Sequence, residues 1–268
     1  MPGNERIPVT AGNLVKELAQ DIAPVPDLPA SISFIHPCTH HYNGETRMKI
    51  LGINGSPKGE KSQTRRLVLS VLEGARKVGA DIMFVDCCDL EIKYCRACGT
   101  CYVKGECIHD DDMPALLEKM LDADGIVLGS PVYINSVTAQ LKTVLDRMSD
   151  SIHCQSFTGK YGCAVSTAGG SMADEVADYM NQVLLNLGAT TVGKVGVLLG
   201  ADPGAIVPAE KQAKELGRKL AEAVKTGWKD PAQAKVQAER RGYFKYLVSA
   251  NKDNWTHEYE HYKTMGWL

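Results

Sequence analysis

The chain has 268 residues, with 30 Lys and Arg against 32 Asp and Glu, a formal charge of −2 and an apolar fraction of 44%. That length holds one large domain or a core with extensions, and so even a charge balance argues against nucleic acid or an acidic membrane as partner. No apolar run reaches the length of a bilayer-spanning helix, and MPGNERIPVTAGNLVKELAQDIAP at the start lacks the basic-then-apolar pattern of a signal peptide, so the nine cysteines are expected as reduced thiols or metal ligands in a cytoplasmic protein.

Residues 1–47 form an extension rich in proline (Pro24, Pro26, Pro29, Pro37), with a short helix expected around Asn13 to Ile22. From Met48 the pattern becomes regular: apolar runs suited to buried parallel strands alternate with amphipathic helical stretches. The strands are expected at Met48–Asn54, Asp81–Asp86, Gly125–Ser130, Tyr161–Thr167 and Thr190–Leu198. The helices between them are expected at Ser62–Val78, Asp112–Leu121, Val137–Ser149 and Met172–Leu187. Five strands with intervening helices predict an α/β doubly wound parallel sheet over residues 48–200, covered on both faces. Ligands of such sheets bind outside the carboxyl ends of the strands, where the strand order reverses.

Three loops stand at those ends. The first, Gly55 to Thr64, offers hydroxyls at Ser56, Ser62 and Thr64 beside the free N–H groups of a helix start, an anion site by composition. It is neither a P-loop nor a G-x-G-x-x-G fingerprint, which suits a mononucleotide such as FMN, or else an ordinary capped loop. The second, Gly129 to Ser136, is stiffened by Pro131 and presents Tyr133 to a flat ring; the helix behind it carries Thr138, Gln140, Lys142 and Arg147. The third, Ser166 to Ser171, has paired glycines that let backbone approach a ligand edge.

After the second strand come Cys95, Cys98, Cys101 and Cys107, spaced C-x2-C-x2-C-x5-C. Three closely stepped thiolates with a fourth nearby suit a cubane iron–sulfur cluster. A zinc ribbon usually splits its ligands into two distant pairs, and disulfides or inert thiols complete the alternatives. Among the other candidates, Cys87 and Cys88 are expected on opposite faces, and Cys154 and Cys163 as small buried residues. His36, Cys38, His40 and His41 lack a fourth ligand at metal-site spacing. His109 beside the cysteines is expected as a plain loop histidine or else as a hydrogen-bond donor to sulfur, and Asp110, Asp111 and Asp112 are expected to cap the next helix.

Beyond Gly200 the chain is expected to form an extension, residues 201–268, with an alanine-rich helix at Pro208–Lys225. Its last 26 residues hold seven of the seventeen aromatics (Tyr243, Phe244, Tyr246, Trp255, Tyr259, Tyr262, Trp267), a composition that packs on a core or, by preference, on a neighbouring subunit.

Four motifs in order, ILGINGSPKGEKSQT, CRACGTCYVKGECIHDDDM, DGIVLGSPVYINSVTAQLKTVLDRM and STAGG, resemble the NADPH-dependent FMN reductase family of flavodoxin-like proteins over residues 48–200. The cysteine loop is similar to that of its iron–sulfur flavoproteins. The resemblance implies a flavodoxin-like sheet of order 2-1-3-4-5. It places Ser56, Pro57, Ser62, Gln63 and Thr64 on the FMN phosphate and ribityl chain, and Pro131, Val132, Tyr133, Ile134 and Asn135 beside the isoalloxazine. Thr167, Ala168, Gly169 and Gly170 would lie on its far edge, and Cys95, Cys98, Cys101 and Cys107 around a [4Fe–4S] cluster. It also implies ferredoxin or NAD(P)H as donor, a small-molecule acceptor or a partner protein, and a homodimer or homotetramer, with no acid–base or nucleophilic residue set. The competing expectations are a cluster-free NAD(P)H-dependent FMN or quinone reductase and a non-enzymatic electron carrier.

Overall fold

A computed structural model describes residues 47–268. The N-terminal extension, its expected helix and the group His36, Cys38, His40 and His41 lie outside the described residues. Five strands, β1 (Lys49–Asn54), β2 (Asp81–Asp86), β3 (Gly125–Pro131), β4 (Tyr161–Ala168) and β5 (Thr190–Leu198), form one sheet in the order β2-β1-β3-β4-β5. Every neighbouring pair is parallel, the doubly wound order expected from the sequence. The helices are α1 (Gln63–Arg76), α2 (Thr100–Lys104), α3 (Met113–Asp122), α4 (Ala139–Asp146), α5 (Ser149–His153), α6 (Ala173–Asn186), α7 (Ile206–Thr226), α8 (Pro231–Ala250) and α9 (Thr256–Thr264).

Side chains alternate across a strand, and both faces of this sheet are apolar. Leu51, Ile53, Ile126 and Leu128 pack under α3, α4 and α6, against Leu116, Met120, Leu141, Met180 and Leu184. Ile50, Val127 and Val165 face the other way, onto Leu67, Val68 and Val71 of α1 and Ala213, Leu216 and Leu220 of α7. Helices α1 and α7 approach backbone to backbone. A Cβ at Gly217 would stand 1.9 Å from the Val71 carbonyl oxygen, and one at Gly74 2.0 Å from that of Lys214. Helix α7, read in the sequence as part of the extension, packs as a layer on the sheet.

The helix expected over Val137–Ser149 is shorter. Thr138 has extended backbone and caps α4, accepting from Leu141 N at 3.3 Å. At the far end Met148 leaves helical geometry before the chain restarts as α5.

The aromatic tail folds back onto its own chain. Phe244, Val248 and Tyr262 form a separate small core with Ile152, Leu247, Trp255, Tyr259 and Trp267, and α9 lies on α2, inside the cysteine stretch. Tyr243 and Tyr246 of α8 stay exposed. Among the described residues no helix is long and apolar enough to cross a membrane.

Candidate functional site

The carboxyl ends of β1, β3, β4 and β5 surround a cavity of about 320 Å3, within the usual range of small-molecule sites, about 300–1,000 Å3. Its floor is fixed from below. Asn54, the last residue of β1, donates to Asp86 Oδ1 at 2.5 Å and accepts from Ser56 N at 3.3 Å. Asp86 is ion-paired with Arg65 Nε at 3.1 Å, and the Arg65 guanidinium lies over the Phe84 ring at 5.2 Å. Burial pushes the Asp86 carboxyl up, against the opposing pull of Asn54 and Arg65.

Ser62 caps α1 by accepting from Arg65 N at 3.1 Å. The helix start therefore keeps other first-turn N–H groups for a ligand, at the end of the helix that favours negative charge. The loops are tied to one another as well as to the sheet. Gly55 N donates to Gly129 O at 2.7 Å, Thr138 Oγ1 to Gly55 O at 2.5 Å, and Val132 N to Thr167 O at 2.8 Å. The Thr64 and Thr167 hydroxyls meet at 2.6 Å, joining the first loop to the third.

Ten residues expected from the sequence line this one cavity: Ser56, Ser62, Gln63 and Thr64, then Pro131, Val132 and Tyr133, then Thr167, Ala168 and Gly169. Pro57, Ile134, Asn135 and Gly170 stand outside its wall. Ile134 and Asn135 form the tip of a tight turn closed by paired bonds between Tyr133 and Ser136. Their φ angles are 47° and 59°, and Ile134 is 96% exposed. A β-branched residue in left-handed backbone is strained, and such strain clusters at functional sites.

Four lining residues were not read from the sequence: Lys58, Lys61, Leu199 and Gly200. The two lysines lie within the loop already identified by its hydroxyls, and their charges were the available signal. Leu199 and Gly200 arrive because the chain leaving β5 runs along the third loop, with Leu199 N on Ala168 O at 2.8 Å and Gly200 N on Gly169 O at 2.9 Å. A Cβ at Gly200 would lie 2.0 Å from the Gly169 oxygen, so glycine after β5 was its signal.

The second feature lies beyond the other end of α4. Cys95, Cys98, Cys101 and Cys107 together line a small cavity of about 40 Å3, with Tyr102, His109, Arg147 and Ser149 among its walls. All four are free thiols, three of them exposed and Cys101 partly buried. Positive φ at Ala97 (50°), Gly99 (72°) and Gly105 (74°) turns the chain so that four sulfurs converge. The Thr100 hydroxyl and then its backbone lower the Cys98 thiol, whereas burial and then Asp150 push Cys101 up to about 11.

The arms of this loop are clasped at their base by the acids expected to cap α3. Asp112 makes no side-chain cap; its carboxylate accepts from Glu91 N at 2.8 Å across the loop. Asp111 does reach the helix start, accepting from Met113 N at 3.1 Å, and also takes Lys93 N at 2.9 Å. The Arg147 guanidinium grips Asp111 in a fork, at 2.6 and 3.2 Å, and donates to Lys93 O at 2.8 Å. Both side chains are 1% exposed, and Arg147 lines the same cavity as Cys107. Burial opposes ionisation of Asp111, but the bonds from Arg147, Lys93 N and Met113 N prevail and hold it at about 2. Capping competed here with cross-loop partners: Asp112 takes the Glu91 amide, while Asp111 serves the helix start and the Arg147 guanidinium together.

His109 contacts Tyr94 O at 3.1 Å and borders the same cavity. Cys163 is fully buried, as expected. Cys87 is buried and Cys88 exposed, on one short turn after β2. Cys154 is buried too, but beside the Asp150 carboxylate and not in a purely apolar setting. The tail covers one side of the cysteine loop: Thr256 Oγ1 donates to Val103 O at 3.0 Å, and the Trp255 and Tyr102 rings lie 5.0 Å apart.

The family described as NADPH-dependent FMN reductase matches residues 48–204. An iron–sulfur flavoprotein of Archaeoglobus fulgidus is 36% identical over 230 residues, which cover 82% of this chain and 100% of that protein. One from Methanocaldococcus jannaschii is 34% identical over 195 residues, covering 66% of this chain and 98% of its own. Among solved structures, the NAD(P)H:quinone oxidoreductase of Methanothermobacter marburgensis superposes with a TM-score of 0.53 at 16% identity, over 65% of this chain and 98% of that one. A flavone reductase gives 0.53 at 24% identity, over 66% of this chain and 63% of its own. These two likenesses carry the fold alone.

Proposed function

The chain belongs to the NADPH-dependent FMN reductase family and, within it, to the iron–sulfur flavoproteins, and from that premise we propose that it binds FMN in the cavity at the strand ends and a [4Fe–4S] cluster on Cys95, Cys98, Cys101 and Cys107. It is a flavin-dependent oxidoreductase; the proposal assigns it electron passage between ferredoxin or NAD(P)H and a small acceptor or a partner protein. The observation that carries this reading is the convergence of four free thiols on one cavity beside a complete flavodoxin-like core. Bound together, the two groups supply an exchange between two-electron and one-electron chemistry.

The residues divide that work. Ser62 and the first turn of α1, with Lys58 and Lys61, receive the phosphate's negative charge. Pro131 and Tyr133 border a flat ring, and the backbone of Gly169 and Gly200 allows its far edge a close approach. Pro57, Ile134, Asn135 and Gly170 remain assigned to the flavin as rim residues, outside the cavity wall. The cysteines supply thiolates, and Arg147 places a buried positive charge against Cys107. The donor set, four free thiols on one cavity, is that taken by a cubane cluster.

Anaerobic iron, sulfide and flavin assays, with EPR before and after dithionite, test the reading. About four irons and one FMN per chain, with a reduced-cluster signal, are expected. FMN without iron moves the protein to a cluster-free FMN or quinone reductase. An electron-carrier role draws support from the exposed Tyr94 (77%) and Ile108 (49%) beside the thiols, apolar surface suited to a partner protein or a second copy in a homodimer or homotetramer. Rapid turnover of small acceptors with NAD(P)H and no added protein counts against that role. The proposed setting is the cytoplasm, where free thiols persist.

A further inference from the structure

We propose that Asp150, Cys154 and His257 form a second metal site, separate from the four-cysteine loop, that binds one divalent transition cation of the zinc class and fastens the C-terminal tail to the core. Asp150 in α5 and Cys154 just after it are four residues apart, so their side chains share one face of the turn. His257, in the first turn of α9, faces them from the tail. One ligand atom from each of the three lies within 4.8 Å of the other two, the group of this kind among the described residues.

The Asp150 carboxylate stands between the thiol and the imidazole at distances close to those of ligands around an ion. His257 Nε2 stands 3.8 Å from Asp150 Oδ2, too far to donate to it. Cys154 Sγ is 3.9 Å from Asp150 Oδ1, the limit of a weak thiol contact. A tetrahedral zinc, with bonds of about 2.0–2.3 Å, sets mixed ligand atoms roughly 3.3–3.6 Å apart. The two contacts to the Asp150 carboxylate exceed that spacing by a few tenths of an ångström, and all three ligand atoms stand within 4.8 Å of one another.

Two further features prepare it. The His257 ring is seated against the loop backbone at Gly105, where a Cβ would come within 2.6 Å of it. Behind it, the register of α9 on α5 is set by Glu258 accepting from His153 at 3.0 Å, His261 Nε2 donating to Cys154 O at 2.8 Å, and Tyr262 donating to His153 O at 2.9 Å. Cys154 is 2% exposed. Among the described residues no Lys or Arg lies within ion-pair reach of Asp150, whose recorded ion-pair partner is His257.

A thiolate, an imidazole and a carboxylate select a borderline cation such as Zn2+ and disfavour Mg2+ and Ca2+, which take oxygen ligands. Three protein ligands leave one position to water. On binding, the Cys154 thiol gives its proton to solvent and the sulfur takes the metal. The ion then links α9 to α5 beside Cys101, anchoring the tail where it covers the cysteine loop.

The test uses the full-length protein purified anaerobically, washed with chelator, loaded with zinc chloride and gel-filtered. Zinc, iron, sulfide and FMN are counted on the same sample, and the thermal midpoint is followed against zinc concentration. The wild type is expected to retain one zinc per chain and to melt higher as zinc rises. His257→Gln and Cys154→Ala should each lose at least tenfold in zinc affinity while FMN content, the check on folding, stays unchanged. Cys98→Ala should keep its zinc. The proposal is overturned if the wild type retains no zinc, if both triad variants bind zinc as the wild type does, or if Cys98→Ala alone abolishes binding. Filling of the cysteine loop is read separately as iron and sulfide, so either reading can fail without the other.

Discussion

The cavity at the strand ends and the cysteine loop are held by different physics. The cavity is made of sheet ends: its three loops are pinned by backbone bonds such as Gly55 N to Gly129 O and Val132 N to Thr167 O, and its inner hydroxyls are buried. Its shape is fixed by bonds within the fold. The cysteine loop rests on no strand. Its sulfurs are mostly exposed, and its shape depends on a clasp of Asp111, Asp112 and Arg147 at one side and the tail at the other. A preorganised site loses little when one contact is removed, whereas a clasped loop stands or falls with a few charged bonds. Helix α4 joins the two, with Thr138 on the cavity loops and Arg147 on the clasp, about 13 Å apart along its axis.

The sharpest break in this comparison is Cys98→Ala. It should abolish iron incorporation and leave one FMN per chain, as counted by metal and flavin analysis; loss of flavin with iron retained would contradict two separable sites.

Next comes Asp111→Asn, which leaves the Arg147 charge buried without its carboxylate. Breaking a buried pair in this way costs on the order of 3–5 kcal/mol. Hydrogen exchange should accelerate over 90–112 while the cavity loops keep their protection. Acid should act through the same carboxylate. Asp111 is held at about 2 in the folded chain, against about 3.9 when unfolded. Its contribution is therefore full above about pH 4 and is lost as pH falls through about 2. Exchange in the iron-free protein should show the loop opening across that window.

Thr64→Ala removes the 2.6 Å hydroxyl contact with Thr167 and one donor to the cavity. FMN affinity should fall by about 1.5–3 kcal/mol, with iron content unchanged. An unaltered FMN dissociation constant would show that the first loop is not the phosphate site. The smallest effect is expected for Lys61→Ala, an exposed charge worth about 1 kcal/mol or less. The loss should shrink as salt is raised.

The sheet was legible because each strand is an apolar run bounded by turn residues. All five were expected within one residue of their observed ends, and the cysteines and hydroxyls declared themselves by type and spacing. What the sequence concealed were partnerships across distance. Arg147 appeared only as one residue of a helix, and nothing local links it to Asp111, 36 positions earlier. The acids after the cysteines had the pattern of a cap, yet in Asp112 the carboxylate found a cross-loop amide instead. The tail's aromatics predicted burial, with a neighbouring subunit preferred as the cover. Composition could not reveal that Trp255 would meet Tyr102 from the chain's own cysteine loop. Helix α7 was set apart from the sheet because the apolar strand pattern stops at β5, whereas its packing depends on the close approach at Gly74 and Gly217.

The contact between Trp255 and Tyr102 also makes the chain its own optical gauge. The indole lies 5.0 Å from a ring whose neighbour in sequence is Cys101. Emission from Trp255 is therefore placed to be quenched when an absorbing group occupies the thiols, and to recover when that group is lost or the tail lifts away. Occupancy of the loop could then be followed in real time, without a label, through light emitted by the segment that covers it.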